Sequence, residues 1–204
     1  IEMPKVETIS GYAFYKCYNR LKKIETPQLK VLGESAFGAC SSLETVKMPQ
    51  VQLIGDYAFS ECSKLKTIEI PQVKSISSYV FYACNSLENL EIPQVKTIGK
   101  GAFNNCQRLK TIDISNVEKI GEKAFEACAN LKKIVIPDTA TEIGKKAFIY
   151  NESLKTVFFR GNVPPAIAED AFEDVEGVTF YYPVNGSWPT SIMTSNAFGS
   201  SGSK

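Results

Sequence analysis

The sequence contains no histidine. This absence excludes Ser-His-Asp and Cys-His catalysis, zinc-hydrolase motifs built on histidine, and two-histidine iron sites. No run of about 18 apolar residues occurs either, so no membrane-spanning helix is predicted. Neither sign of charge is in excess, because 23 basic and 22 acidic residues give a formal net charge of +1. We therefore expect neither a nucleic-acid partner nor membrane insertion of this segment.

Sequence motifs of catalysis are also missing. The chain has no G-x-S-x-G, no Walker loop and no C-x-x-C, and no G-x-G-x-x-G follows a predicted strand. Carboxylates remain as the only candidate catalytic groups, and without a pocket they do not indicate a glycosidase. The sequence predicts no enzyme, no cofactor and no metal site.

What the chain does contain is a repeat marked by four residue types. Cysteine recurs every 22 or 23 residues, phenylalanine stands three residues before each cysteine, and leucine follows it by three residues, or four in the first unit. Proline recurs with nearly the same period. The cysteines are Cys17, Cys40, Cys62, Cys84, Cys106 and Cys128. A fixed period of this length with Leu-x-x-Ile-x-Ile character predicts a solenoid of leucine-rich-repeat type.

Each segment of the unit has a predicted structure. The stretch 65–70 (LKTIEI) fits a short strand with Ile68 inward and Thr67 and Glu69 outward. Proline ends the strand because it lacks the N–H that a sheet needs. Ile-Gly predicts a turn, and the Ala-Phe segment a short helical or irregular side. We therefore expect an α/β repeat solenoid, a right-handed coil whose short parallel strands line a concave face.

The repeat also suggests how the chain is organised. Residues 1–160 hold about seven units, and the first is truncated, because residues 1–4 already resemble the end of a strand. This truncation suggests that the chain was cut inside an array. Residues 161–198 are predicted to form a degenerate last repeat and a C-terminal cap, with Trp188 as a plug over the exposed end of the core. Residues 199–204 (GSSGSK) are predicted to be a flexible tail.

The repeated I-G-x-x-A-F-x-x-C-x-x-L-x-x-I-x-I-P stretches, for instance 54–71 and 98–114, resemble the BspA-like, or treponemal-type, leucine-rich repeat family. The resemblance covers about residues 1–160, and the tail 157–188 is similar to the closing segment of bacterial members. It implies a bacterial protein that is extracellular or on the cell surface, with an adhesin-type role. The implied partner is a protein, such as a host surface or matrix protein.

The cysteine column allows more than one interpretation. Side chains stacked about 4.8 Å apart lie within reach of a disulfide, but parallel side chains rarely offer the required dihedral. We favour a structural column of buried free thiols that fills space and bonds weakly to the turns. Disulfides or metal ligation are the alternatives. Asn151 replaces cysteine in the seventh unit, which fits a hydrogen-bonding role in the turn.

The outward strand positions are the candidate binding residues. Glu69, Glu91 and Asp113 place like charges on successive strands, which destabilises a sheet unless something compensates. A basic protein partner, a bound cation and a simply solvated face are all open explanations. The face becomes apolar at Phe158, unless the cap covers that end. The full set of predicted ligand-binding residues is Thr67, Glu69, Asn89, Glu91, Thr111, Asp113 and Phe158.

Two other functions remain open beside protein–protein recognition by the concave face. A glycan-binding module would use aromatic side chains such as Tyr79 or Trp188 as platforms. Tyr12, Tyr57 and Tyr79 share one repeat phase, two residues before the core phenylalanine. They could instead merely cover the edges of the repeats. A structural spacer that carries another domain would bind nothing.

Overall fold

The structure is a computed structural model, and it describes residues 1–18, 20–184 and 186–188. These residues form sixteen short strands and no helix. The predicted leucine-rich-repeat solenoid is confirmed, but the α/β assignment was wrong, because the described part of the coil is all-β. Half of the strands have three or four residues: β2 (Lys23–Glu25), β4 (Thr45–Lys47), β6 (Thr67–Glu69), β8 (Asn89–Glu91), β10 (Thr111–Asp113), β12 (Lys133–Ile136), β14 (Thr156–Phe159) and β16 (Thr179–Tyr181).

The other strands have two residues each and alternate with the longer ones along the chain. They are β1 (Thr8–Ile9), β3 (Val31–Leu32), β5 (Leu53–Ile54), β7 (Ser75–Ile76), β9 (Thr97–Ile98), β11 (Lys119–Ile120), β13 (Glu142–Ile143) and β15 (Ala166–Ile167). The sequence predicted only a turn at this place. Pairing is parallel and in order, as β1-β3-β5 and β7-β9-β11-β13-β15.

Glycine follows most of these short strands because neighbouring rungs approach closely there. A Cβ atom on Gly33 would lie 2.3 Å from the backbone nitrogen of Gly11, which no side chain can tolerate. The repeated Ile-Gly pair therefore marks both the end of a strand and a backbone contact between rungs.

The longer strands build the face that carries the predicted site, here called the long-strand face. All hydrogen-bonded pairs of these strands are parallel. Equivalent residues of successive units are register partners, as Lys23, Thr45 and Thr67 are. The hydrogen-bonded order is β2-β4-β6, then β8-β10, then β12-β14-β16. β6 contacts β8, and β10 contacts β12, but no hydrogen-bonded ladder joins either pair. The face is therefore divided into three segments.

The third side of the coil consists of turns with a regular hydrogen-bond pattern. Residues two before and two after each repeat phenylalanine from Phe14 to Phe148 have positive φ, as Tyr57 (57°) and Glu61 (60°) do around Phe59. The N–H of Tyr57 donates to the carbonyl of Ser78, and that of Phe59 to the carbonyl of Val80. Left-handed residues at this spacing prevent consecutive helical φ values. A helix cannot form on this side, although the backbone groups are paired between rungs.

The core is one continuous cluster centred on a stack of phenylalanine rings. Successive rings from Phe37 to Phe172 are nearly parallel, with centroids 4.9 to 5.8 Å apart. All seven are fully buried. Parallel-displaced aromatic pairs contribute beyond their buried area. The column therefore ties each rung to the next.

Near the C-terminal end of the described chain, aromatic side chains close over the core. Trp188 is buried, with its ring 4.8 Å from that of Phe159 and 4.4 Å from that of Tyr182. Its Nε1–H donates to the carbonyl of Gly161 at 3.1 Å. This is the packing expected of a plug. The rest of the predicted cap, 189–198, and the predicted tail, 199–204, lie outside the described residues.

Candidate functional site

The first outward column of the long-strand face is polar and linked from strand to strand. Thr67 donates its hydroxyl hydrogen to Thr45 Oγ1 at 3.3 Å, and Thr111 donates to Asn89 Oδ1 at 2.6 Å. Thr67 and Thr111 are exposed, as is Asn89. The predicted residues of this column therefore face solvent and retain hydrogen-bonding capacity for a ligand.

The predicted acidic residues lie in the neighbouring outward column, and the hydrogen-bonded ladder is interrupted between β6 and β8. Glu91 and Asp113 are register partners on adjacent strands. Glu69 belongs to the preceding segment of the sheet, where its register partner is Lys47. Glu91 and Asp113 therefore lie on hydrogen-bonded strands, whereas no hydrogen-bonded ladder joins the strand of Glu69 to that of Glu91.

Neither Glu91 nor Asp113 joins an ion pair within the described chain, whereas several other glutamates do. Glutamates elsewhere pair with lysines one rung away, as Glu88 does with Lys110 at 2.7 Å and Glu118 with Lys96 at 2.7 Å. The lysine–glutamate pattern thus neutralises part of the acidic charge of the coil. Glu91 and Asp113 remain outside it as adjacent carboxylates without an ion pair on the long-strand face.

Asp113 also has a structural contact. One of its carboxylate oxygens accepts the backbone N–H of Ser115 at 2.9 Å. Ser115 stands where other units carry proline, so the N–H that proline would lack is satisfied by the side chain two residues earlier. The contact fixes the orientation of the Asp113 carboxylate and leaves further acceptor sites free.

A groove of about 610 Å³ runs beside this acidic pair. Its lining comes from β8, β10, β12 and the residues that directly follow β10, β12 and β14: Asn89, Leu90, Glu91, Thr111, Ile112, Asp113, Ile114, Ser115, Val135, Pro137 and Arg160. The groove lies where β10 and β12 are not hydrogen-bonded, and Ile112 in the middle of β10 is only half-buried there. We call it the acidic groove. It combines four of the predicted binding residues with an apolar floor.

Arg160 is a groove residue that the sequence interpretation missed. It follows Phe158 by two positions, so strand alternation places it on the outward side. It is exposed and forms no ion pair with any residue that the structure describes. The period-2 alternation, extended one step beyond the strand, would have identified it.

A second, smaller groove of about 350 Å³ lies at the N-terminal end of the long-strand face. Glu69 lines it together with Glu25, Lys47 and three prolines, Pro4, Pro27 and Pro49. Glu2 is a third carboxylate of the lining, and Lys47 is its one basic residue. Lys23 lies 3.0 Å from Glu25 and lowers the pKa of that carboxyl. Glu69 therefore lies in a groove of mixed charge, as Glu91 does beside Arg160.

Phe158 lies at the C-terminal end of the same outward column and has an aromatic neighbour. Its ring stacks on that of Tyr181, with centroids 4.6 Å apart, and Lys133 Nζ lies 4.5 Å above it. Val135 is its register partner on the other side. Tyr181 is 50% exposed. The described residues thus leave an accessible aromatic surface two rungs from Asp113.

The cysteines form a column of thiols bonded to the backbone, and none is in a disulfide. Each buried thiol donates to the carbonyl of the phenylalanine one rung earlier, as Cys106 does to Phe81 at 3.0 Å and Cys84 to Phe59 at 3.2 Å. Burial raises the pKa of Cys106 to about 12 and that of Cys40 to about 11. Thiols held neutral in this way are unreactive.

Cys17 is the exception, since it is exposed. We expect maleimide to modify the native protein once, at Cys17, and to modify the chemically unfolded chain six times, counted by mass spectrometry. Cys17→Ser is the control and should leave the native protein unlabelled. Rapid labelling of several thiols in the native protein would contradict the buried column.

Tyrosines cover one edge of the coil. The rings of Tyr57 and Tyr79 stack with centroids 5.0 Å apart. On the next rung the same position is Gly101, with a φ of 57°, and a Cβ there would lie 2.2 Å from the Tyr79 ring. Tyr79 therefore packs between Tyr57 and a glycine. Tyr12, at the other end, donates to a Glu34 carboxylate oxygen at 2.6 Å.

Gly101→Ala should destabilise the protein by about 1–2 kcal/mol and displace the Tyr79 ring, because strain at positive φ and a steric clash add together. Gly177→Ala is a matched control. Gly177 has a similar φ of 63°, and only the flexible end of Lys155 lies near its missing Cβ. Urea unfolding should show the larger loss for Gly101→Ala, and equal losses would contradict the packing of Tyr79.

In the described part of the chain, no cluster of three acidic or cysteine side chains has a geometry that could hold a metal ion. A search of the same residues for an apolar helix long enough to cross a bilayer also finds none.

The family model described as a BspA type leucine-rich repeat region matches residues 1–94 and 74–201, in six copies. A leucine-rich cell surface protein of Faecalibacterium prausnitzii is 33% identical, with a TM-score of 0.72 over 76% of this chain and 43% of that protein. A leucine-rich repeat protein of Eubacterium ventriosum is 28% identical, with a TM-score of 0.67 over the same shares of the two chains.

A leucine-rich repeat protein of Bacteroides ovatus shares the fold, at 23% identity and a TM-score of 0.69 over 89% of this chain and 54% of that one. The chain thus spans about half the length of these solved structures, or less. No curated protein matches it. Because the family model covers most of the sequence and the coil repeats the same unit throughout, the chain belongs to the BspA-type leucine-rich repeat family.

Proposed function

We propose that the chain is a non-catalytic binding module, on the cell surface or outside the cell, that recognises a protein through its long-strand face. The observation that supports this most is the pair of adjacent carboxylates, Glu91 and Asp113, which lie beside a groove and join no ion pair within the described chain. An exposed charge without a partner of its own is available to a ligand, and it steers association.

The proposed contact surface consists of the two outward columns and the aromatic end. It comprises Thr67, Glu69, Asn89, Glu91, Thr111, Asp113 and Phe158. Glu69 contributes at the margin, because it lies in the other groove. The cell-surface location is supported by the description of the Faecalibacterium relative as a cell surface protein. A host surface or matrix protein is the class of partner that we propose.

The proposal is tested by binding to a panel of immobilised matrix and plasma proteins. We expect at least one of them to bind, and E69K/E91K/D113K to weaken that binding by about tenfold or more. The matched control reverses three charges elsewhere, E61K/E152K/E176K, at exposed positions outside both grooves. Equal binding by both variants would remove the long-strand face as the site, and no binding at all would contradict a protein-recognition role.

A glycan-binding module is the second candidate, and the stacked Tyr57 and Tyr79 are the observation that favours it. Trp188 cannot be its platform, because that side chain is only 5% exposed and packs into the core. A glycan array distinguishes the two functions: hits that Tyr57→Ala abolishes and E91K/D113K preserves would favour the glycan module. A spacer would give no hits in either assay.

A further inference from the structure

We propose that the acidic groove and the adjoining aromatic stack bind an extended, proline-rich segment of a protein partner, with one basic residue against Glu91 and Asp113 and prolines against Phe158 and Tyr181. This inference rests on the proposed protein-recognition function and specifies the chemistry of the partner. It depends on the order of side chains along one column, on the spacing of the rungs and on the unpaired charges.

Acidic, aliphatic and aromatic side chains follow one another in a fixed order along this outward column. Glu91 and Asp113 come first, Val135 follows in the same repeat phase, and Phe158 and Tyr181 come last. Neither carboxylate of the acidic end joins an ion pair within the described chain, although Arg160 lines the same groove, and the aromatic end is accessible at Tyr181. A ligand that lies along this column meets negative charge at one end and flat apolar rings at the other.

Rung spacing determines which ligand conformation fits this order. Parallel strands lie about 4.8 Å apart, so Asp113 and Phe158, two rungs apart, are separated by roughly 10 Å. A polyproline II helix rises about 3.1 Å per residue with three residues per turn. Its residues i and i+3 therefore lie on the same edge, roughly 9 Å apart. A β-strand ligand would turn residues i and i+3 to opposite sides.

The hydrogen-bonding character of the surface favours the same conformation. Backbone groups are hydrogen-bonded within each sheet segment, so a ligand that crosses the strands meets mainly side chains, although no hydrogen-bonded ladder joins β10 to β12 beside the groove. A polyproline II segment needs no partners for its own backbone, which stays solvated. Recognition of such segments commonly uses aromatic rings, against which the prolines pack.

Charge then determines which residue accompanies the prolines. Two adjacent carboxylates, one of them held in place by Ser115, present acceptors to a lysine or arginine. Asn89 and Thr111 line the groove in the neighbouring column and can bond to carbonyls of the ligand. The predicted ligand pattern is a basic residue with proline three positions away.

The probe is a synthetic peptide, acetyl-Pro₄-Lys-Pro₄-amide, which offers prolines on both sides of the lysine and so does not depend on chain direction. Two comparison peptides replace the lysine by glutamate, or the prolines by alternating glycine and serine. Binding is followed by chemical-shift changes of the ¹⁵N-labelled protein.

We expect the lysine peptide to shift the amides of Thr111, Asp113, Val135 and Phe158. The glutamate and the glycine-serine peptides should each bind at least about fivefold more weakly. On the variant E91K/D113K the order of the two charged peptides should reverse, while E61K/E152K should behave as the wild type. Phe158→Ala should weaken binding of the lysine peptide by about threefold or more.

Absence of binding, shifts outside the groove, or equal binding of the three peptides would each overturn the inference. None of these results would decide the proposed function, because that is tested by the protein panel. Panel binding that depends on Glu91 and Asp113, combined with failure of the peptides, would mean that the face recognises a folded surface instead.

Discussion

Phe103→Ala should lower the free energy of unfolding by about 3–5 kcal/mol. Its ring is fully buried between those of Phe81 and Phe125, with centroids 5.4 and 5.2 Å away. Truncation removes the buried apolar area and both stacking contacts, and it leaves a cavity that the neighbouring rungs cannot close without breaking their backbone bonds. Urea unfolding followed by circular dichroism measures the loss.

The effect should also be local, because each rung of a solenoid contacts only its neighbours. Hydrogen exchange of Phe103→Ala is expected to increase most in the rungs of Phe81 and Phe125, and least near Phe172. Phe158→Ala is the matched control, since that ring lies on the outward face. A loss for Phe103→Ala no greater than that for Phe158→Ala would contradict the role of the phenylalanine column.

Asn151→Ala should cost about 2–3 kcal/mol, because it leaves buried backbone carbonyls without donors. The Asn151 side-chain amide donates to the carbonyls of Phe125 at 2.8 Å and Phe148 at 2.6 Å, and contacts that of Ile149 at 3.3 Å. These bonds occur at the position where five other rungs bury a cysteine. Thermal or urea unfolding checks the expected loss.

A second substitution, Asn151→Cys, distinguishes a hydrogen-bonding role of the side chain at this position from a space-filling role. A thiol at this position in the other rungs donates to the carbonyl of the phenylalanine one rung earlier, as Cys128 does to Phe103 at 3.2 Å. Asn151→Cys should therefore destabilise the protein clearly less than Asn151→Ala does. Equal losses would show that the position does not act through the donated hydrogen bond.

The repeat period predicted much of the fold because apolar residue types that recur in phase indicate directly which positions are buried. Isoleucine, leucine and phenylalanine recur in phase, and each of them faces the core in the rungs around Phe59, Phe81 and Phe103. The order of the strands and their register follow from the same 22-residue step, as Asn89 and Thr111 show.

The irregular side of the coil was harder to predict. Its left-handed residues include Tyr57, Lys123 and Ala127, and these residue types do not favour positive φ. Stacking between rungs selects the conformation, and that is a tertiary effect with no local signature. Because the sequence carries no local signal of this conformation, the short Ala-Phe stretch was also consistent with a helical turn.

The candidate site was predicted in part. Alternation identified Glu91 and Asp113 as outward neighbours, and the structure places both in one groove. It could not predict that the hydrogen-bonded ladder is interrupted between β6, which carries Glu69, and β8, which carries Glu91, because strand pairing depends on backbone geometry. Arg160 was missed because it lies one residue beyond β14.

The most direct test of the long-strand face is a steric block at one position. With Cys17→Ser as background, a polyethylene glycol chain is attached by maleimide to Thr111→Cys or, as control, to Lys145→Cys, which is exposed on the turn side. Affinity for the panel protein that binds best is then compared. We expect attachment at position 111 to abolish binding and attachment at position 145 to preserve it. Binding retained at 111 and lost at 145 would contradict recognition through the long-strand face.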